Sequence, residues 1–342
     1  MFNAFCDNKK WTQLMHDFSI ILLSGTYASS VALTLDILQA AATLAPRVGV
    51  AAPRWRVYSV STEPVALGNG LTIKGEVLPK TQRSHRTVWI VPGLGLQSAS
   101  AAEQRFEQAD ALCMMSALQR HARAGGSIAS SCTGVFLLQA AGLLAGHTVT
   151  TSWWLADRLQ KLEPRCNVNA DRMVVADGNV ITAGAAFAQT DLMLHLLRAS
   201  CGAALAQAVS RALLLDARQA QAPYVVPMML ASGDALIARL TQHIESLLPN
   251  PPTVSALAEA FCVSERTLSR QVKTASGLTP LALIQRIRLN RARALLESTK
   301  LSVEAIAERV GYTDATALRR LMRKAMGTTP RQFRPIAVGA FG

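Results

Sequence analysis

The sequence predicts two units of different class: an α/β unit on a mostly parallel sheet, then an all-α unit with two helix-turn-helix motifs. Three observations predict it. Residues 17–200 alternate short apolar runs with segments of helical period. Beyond Gly233 every apolar segment has helical period and no strand candidate appears. The same C-terminal third also repeats itself at a spacing of 49 to 50 positions.

Size and composition agree with two units. A chain of 342 residues corresponds to about two domains of roughly 100–200 residues. Half of the residues are hydrophobic, enough to fill real cores without disulfide staples. The six cysteines (Cys6, Cys113, Cys132, Cys166, Cys201, Cys262) form no CxxC pair and no zinc-finger spacing. They read as scattered thiols in a reducing cytoplasm, and neither a metal nor another cofactor is expected. The first apolar run, residues 18–23, is too short for a secretory core and follows Asp17. Residues 124–156 carry no charged side chain and match the length of a bilayer span. Gly125-Gly126 and the small-residue stretches 130–134 and 142–147 cut that run into strand and short-helix lengths. It reads as the middle of a buried sheet, and no membrane association is expected.

The α/β unit reads in order. FSIILLSG (18–25) is a buried strand ending in a turn. Residues 29–43 form a helix with Val31, Leu35 and Leu38 on one face. RWRVYSVST (54–62) alternates like a strand, and TVWIVPGLG (87–95) is a buried strand running into a Pro/Gly loop. Residues 103–124 are helical, stopped by Gly125-Gly126. SIASS, HTVTT and RMVVADGNVITAG add strands, the last with a hairpin turn at Asp177-Gly178. Residues 190–199 close the unit as a helix. Strands alternating with helices imply a mostly parallel sheet covered on both faces. From Leu205 the chain turns Ala/Gln-rich, with Pro223 and Pro227, and reads as a helix and connector.

In the helical third, TVSALAEAFCVSERTLSRQVKTASGLTP (from Thr253) aligns with LSVEAIAERVGYTDATALRRLMRKAMGTTP (from Leu301). Ala258-Glu259 matches Ala307-Glu308 and Cys262 matches Gly311, 49 residues apart. Leu268, Arg270, Lys273, Gly277 and Pro280 match Leu318, Arg320, Arg323, Gly327 and Pro330, 50 apart. Each copy reads helix, tight turn, helix. In the first, Leu257, Ala258 and Phe261 form an apolar face and Ser264 caps the second helix. Leu268 and Val272 point inward there, leaving Arg266, Ser269, Arg270 and Lys273 outward. In the second copy Asp314 is the cap, Leu318 and Met322 point inward, and Thr316, Arg319, Arg320 and Arg323 point outward.

A short helix with buried anchors and a basic outer face suits the DNA major groove, where Arg bonds a guanine edge bidentately. Lys273, Arg323 and Lys324 suit phosphates. The long helical segment 281–297, with Arg286, Arg288, Arg291 and Arg293, is a rigid spacer that sets the reading helices about 34 Å apart, one DNA turn. Charge agrees: residues 233–342 hold 16 Lys/Arg against 8 Asp/Glu, the charge of a polyanion binder.

LAEAFCVSERTLSRQVK, RIRLNRARALLE and IAERVGYTDATALRRLMRKAMGTTPRQFR resemble the DNA-binding domain of AraC/XylS transcription regulators. The resemblance implies base contacts from Arg266, Ser269 and Arg270 in the first motif and from Thr316, Arg319 and Arg320 in the second. Cys262 departs from the small residue usual at the first turn; Leu318 and Met322 replace aromatics. TVWIVPGLG and GGSIASSCTGVFLLQAAGLLAGHTVTTSW resemble a class I glutamine-amidotransferase-like domain of the PfpI type. That resemblance implies a flavodoxin-like/amidotransferase-like sandwich with Cys132 on a strand-to-helix elbow, faced by the loop of Gly93 to Gly95. The family pattern after the elbow places a His where this chain has Ser152. A serine takes up no proton near neutral pH, and His16, His85, His121, His147, His195 and His243 form no triad with the thiol.

The expectation is a cytoplasmic transcription regulator in five parts. A tail (1–16) precedes an α/β effector-sensing and dimerisation domain (17–204); a connector (205–232) leads to the DNA-binding domain (233–335) and a second tail (336–342). The elbow is catalytically inactive. As the resemblance implies, a small metabolite of amino acid or amine type binds at Gly93, Cys132, Thr133 and Trp153, with Tyr27, Trp154 and Phe187 as further aromatic walls. Promoter DNA, a homodimer partner and RNA polymerase are the expected macromolecular partners. The residues leave open a PfpI-like cysteine hydrolase or amidotransferase tethered to a DNA-binding module.

Overall fold

The computed structural model describes residues 17–79, 87–95, 104–215, 235–326 and 329–333. The chain divides into two compact units, residues 1–218 and 219–342.

The first unit is built on seven strands: β1 (Asp17–Ile21), β2 (Arg54–Ser59), β5 (Glu76–Val77), β6 (Val88–Val91), β7 (Ile128–Ser131), β10 (Val174–Asp177) and β11 (Val180–Ala183). They lie in the order β10-β11-β7-β6-β1-β2-β5, parallel throughout except for the β10–β11 hairpin. The central strands read as unbroken apolar or small-residue runs because both faces are covered. In β6, Val88 and Ile90 join one core and Trp89 and Val91 the other.

The first core holds α1 (Ala28–Leu44), α5 (Gln189–Cys201) and α6 (Ala203–Ala212). The second holds α2 (Ala109–Arg123), α3 (Gly134–Ala140) and α4 (Ala156–Leu162). Helix α1 and the turn after it (Ala28–Val48) are long and apolar enough to cross a membrane by length and composition alone. They instead lay Val31, Ile37, Leu38 and Ala41 on the sheet. The charge-free stretch 124–156 becomes β7, α3 and the short strand β8 (Thr148–Val149).

Three features differ from the sequence reading. HTVTT does not join the main sheet: β8 pairs in parallel with β9 (Asn167–Val168) as a separate two-stranded ribbon. The short strands β3 (Val65–Ala66), β4 (Thr72–Ile73) and β5 were not foreseen; at two residues each they have no alternation to detect. The boundary at 204/205 also moves. Helix α6 buries Leu205, Ala206 and Val209 in the core shared with α1 and α5, so residues assigned to the connector belong to this unit. Its apolar stripe is only three side chains wide in an Ala/Gln-rich background.

The second unit is helical in every described element: α7 (Ala235–Ser246), α8 (Val254–Ala260), α9 (Glu265–Ser276), α10 (Pro280–Ser298), α11 (Val303–Arg309), α12 (Ala315–Met326) and a short 3-10 turn (Pro330–Phe333). Ile237, Leu240 and Ile244 of α7, Leu257 of α8, Leu268 and Val272 of α9, and Leu283 and Ile287 of α10 are fully buried. Leu289, Ala292 and Leu296 carry α10 onward into a second core with Ile306, Val310, Leu318 and Met322.

The two turns of the repeat use the same backbone device. Cys262 and Gly311, aligned by sequence, both adopt left-handed conformations with φ of 54° and 79°. At Gly311 there is a second reason for glycine: a Cβ would overlap the Pro249 carbonyl. We expect Gly311→Ala to lose at least the ~1–2 kcal/mol of the left-handed penalty, and more from displacing Pro249. Cys262→Gly should leave stability within about 1 kcal/mol of the parent. Urea unfolding of the two variants checks this; equal midpoints would contradict it.

Candidate functional site

In the first motif Thr253 accepts a hydrogen bond from the Ala256 N–H at 3.1 Å and starts α8. Ser264 accepts from the Thr267 N–H at 3.2 Å and starts α9, which ends at left-handed Gly277. These caps fix the length and phase of α9. With Leu268 and Val272 at 0% exposure, Arg266, Arg270 and Lys273 are turned to solvent and Ser269 is half-buried. Behind the motif, Phe261 packs edge-on to His243 at 5.7 Å, with the Arg239 guanidinium 5.2 Å above its ring.

The second motif copies this scheme with an acidic cap. Ser302 accepts from the Ala305 N–H at 3.0 Å, and Asp314 Oδ1 accepts from the Ala317 N–H at 2.8 Å. The hydrogen bond from Ala317 holds the Asp314 carboxyl below its ordinary value. Leu318 and Met322 are fully buried; Thr316, Arg319, Arg320 and Arg323 are exposed. Two contacts escaped sequence reasoning. Arg319 Nη2 lies 2.6 Å from Glu304 Oε1 on α11. Arg288 of α10 donates to the Val310 and Gly311 carbonyls at 2.8 and 2.6 Å, its guanidinium 3.8 Å over the Tyr312 ring. The repeat alignment places Glu304 and Arg319 on neighbouring helices, and an acid–base pair there was the available signal.

In the first unit, β1 connects outward to β2 while β6 lies on the other side of β1, so the strand order reverses between β1 and β6. Ligands of open α/β sheets sit at the carboxyl ends of strands at such a point. The loops there are stitched together: Tyr27 N–H donates to Gly93 O at 2.8 Å and Gly95 N–H to Gly25 O at 2.7 Å. Next to them β7 ends in the elbow. Cys132 has φ 53°, and its N–H points at the Ala183 and Gly184 carbonyls. Gly93 is a close-approach position, since a Cβ there would come within 3.1 Å of Cys132 Cβ. Thr133 Oγ1 accepts from the Leu94 N–H at 2.9 Å and donates to the Leu94 carbonyl at 2.5 Å.

The elbow is dry. Cys132 and Thr133 are each 3% exposed, and Thr151 and Ser152 are at 0%. The thiol lies 3.1 Å from Ser152 Oγ. Burial pushes the Cys132 thiol up, against the opposing hydrogen bonds of Ser152 and Thr133. Burial, then the nearby Cys132, raises the Tyr27 phenol. Gly93, Cys132 and Thr133 are therefore brought together, with their polar atoms engaged within the fold. Trp153, one residue beyond Ser152, stacks edge-on with Trp154 at 5.4 Å. Its indole N–H is buried with no hydrogen-bond partner among the described residues. Trp154 and Phe187 are exposed.

The described histidines have other places. His121 stacks on Trp89 at 4.3 Å and meets the Ser127 carbonyl. His147 lies 3.9 Å from Asp177. His195, on α5, is depressed by burial and then by Arg198. His243 belongs to the second unit, and His16 and His85 lie outside the described residues. No described histidine is hydrogen-bonded to the thiol; its side-chain partner is the Ser152 hydroxyl, whereas a nucleophilic thiol is activated by an adjacent base. No group of three or more His, Cys, Asp or Glu among the described residues is gathered to hold a metal.

Comparison with known proteins matches both units. Residues 33–199 match the DJ-1/PfpI family and residues 257–335 a helix-turn-helix domain. The chain is 26% identical over 328 residues to the HTH-type transcriptional regulator CdhR of Pseudomonas aeruginosa, covering 94% of this chain and 93% of that one. It is 27% identical over 274 residues to the HTH-type transcriptional regulator GlxA of Rhizobium meliloti, 79% and 81% of the two chains. Among solved structures, an AraC family transcriptional regulator from Pseudomonas putida is 19% identical with a TM-score of 0.44, covering 58% of this chain and 98% of that one. The chain is a DNA-binding transcription regulator. It joins a DJ-1/PfpI domain to an AraC-type helix-turn-helix domain.

The shifted thiols set a reactivity order and a pH dependence. Cys132 should alkylate more slowly at neutral pH than exposed Cys113 and Cys262, read by mass spectrometry of the folded protein. Burial pushes Cys201 up to about 11 from 9.0. Above pH 9 the unfolded chain sheds thiol protons that the folded chain keeps. Stability from these groups is thus complete below 9.0 and lost as pH rises through about 11. Denaturation series from pH 8 to 11 on the parent and on Cys201→Ala check the sign.

Proposed function

We propose that the first unit is a non-catalytic sensor whose ligand governs promoter reading by the second. Arg266, Ser269 and Arg270 read bases in one major groove, and Thr316, Arg319 and Arg320 in the next. Lys273 and Arg323 bind phosphate. The observation that carries this is the doubled scheme of two buried anchors behind an exposed basic face, once in α9 and once in α12. The effector is a small amino acid or amine bound at Gly93, Cys132, Thr133 and Trp153. The orphan Trp153 N–H supports this, because a buried donor without a partner gains most from a carboxylate. The protein works in the cytoplasm as a homodimer and contacts RNA polymerase.

Duplexes selected by the full-length protein from a random pool test the reading. Arg270→Ala and Arg320→Ala should each lose about 1–3 kcal/mol of discrimination, confined to one base pair per motif. Lys273→Ala should weaken all sequences alike and reduce the salt slope by about one. Loss spread evenly over all positions in the arginine variants would contradict base reading. A thermal-shift screen of amino acids and amines tests the sensor; a ligand at a hundred times its Kd adds about 2.7 kcal/mol. A hit that survives Trp153→Ala unchanged removes the assigned pocket. Turnover lost in Cys132→Ser would convert the sensor into an enzyme.

A further inference from the structure

We propose that Glu304 is a positioning residue for base recognition by the second motif: its carboxylate holds the Arg319 guanidinium in the pose that meets a guanine edge. This rests on the reading that Arg319 contacts a base. Glu304 is the second residue of α11 and reaches across to the reading helix, Oε1 to Arg319 Nη2 at 2.6 Å. The contact uses one of the five N–H donors of the fork and leaves a two-pronged edge for a base. The pair is solvent-facing, with the two side chains 47% and 64% exposed, so it is not a core interaction.

The repeat supplies an internal control. At the positions in the first motif aligned with Glu304 and Arg319 stand Ser255 and Ser269. The acid and the arginine occur together in one copy and are both absent from the other, as expected if the acid serves the arginine. Glu304 stays ionised, held below its ordinary value by its own N–H and then by Arg319.

Two physical effects follow, and both raise selectivity. A long arginine side chain loses rotamer freedom when it lands on a base, and a fork already held loses less. A carboxylate beside the reading helix also repels phosphate, which weakens binding to any sequence. The base-specific term gains while the sequence-independent term falls.

The test uses the full-length protein, its selected duplex and a scrambled duplex. Arg319→Ala comes first and should erase preference at one base pair; if it erases none, the base-reading assignment fails. Given that loss, Glu304→Ala should lower the ratio of scrambled to selected Kd roughly tenfold, with scrambled binding unchanged or tighter. The double variant should discriminate no worse than Arg319→Ala alone, and Glu304→Gln, which still accepts a hydrogen bond, should recover part of the preference. The Glu304 variants should melt like the parent, since the pair is exposed. If Glu304→Ala keeps the full ratio, or loses as much when Arg319 is already absent, the positioning role is overturned.

Discussion

The DNA-reading half depends on Arg288. Past the end of a helix the backbone carbonyls of a tight turn have no helical partner, and in the second motif α11 ends in such a turn at Val310 and Gly311. Arg288, on the spacer helix, donates to the Val310 and Gly311 carbonyls of that turn and lies over Tyr312. The same α10 buries Leu283 and Ile287 against the first motif and Leu289, Ala292 and Leu296 against the second. One helix therefore packs against both motifs, and its arginine holds the turn of the second. A lysine carries a single compact ammonium and cannot reproduce the planar fork that spans both carbonyls and stacks on the ring. Gly311 completes the joint, because the backbone of Pro249 occupies the space a side chain would need.

The elbow in the other unit is a bend held by its neighbours. A non-glycine residue at φ 53° is strained and persists only where its surroundings over-determine it. Here they do: the Ala183 and Gly184 carbonyls take the Cys132 N–H, and Thr151 donates to the Cys132 carbonyl at 2.7 Å. Thr133 clamps the facing loop on both sides of the Leu94 peptide. A nucleophile needs the same bend plus a base. The bend is present, and the side chain that faces the thiol is the Ser152 hydroxyl, with burial pushing the thiol up.

What the sequence made legible follows from burial. VWIV and IASS stood out because strands covered on both faces leave unbroken apolar or small-residue runs, and every residue of both is buried. The second motif was legible because the first duplicated it. Other features left no local mark. Ser131 donates to Gln189 at 2.6 Å and Gln189 donates to Thr34 at 2.8 Å, a fully buried polar chain linking residues 58 and 155 positions apart. No periodicity encodes such a chain; only the close stacking of α1, α5 and β7 creates it. The elbow was half legible: proximity of Gly93, Cys132 and Thr133 followed from the bend, but the hydrogen bonds that engage the Cys132 thiol and the Thr133 hydroxyl did not.

The two motifs share a backbone plan and differ in charge at matched places. Ser264 caps one reading helix and Asp314 the other. Both caps satisfy a first-turn N–H, so the exchange is nearly neutral for helix stability. A carboxylate at the start of a helix offsets the positive end of its dipole, and both reading helices have one there, Glu265 as the first residue of α9 and Asp314 as the cap of α12. The second motif carries more cations, Arg319, Arg320, Arg323 and Lys324 on α12 against Arg266, Arg270 and Lys273 on α9. Arginines backed by carboxylates bind less through charge alone and more through fit. Charge thus distinguishes two motifs that share one backbone plan: the second sets more cations on its reading helix and pairs one of them, Arg319, with the Glu304 carboxylate.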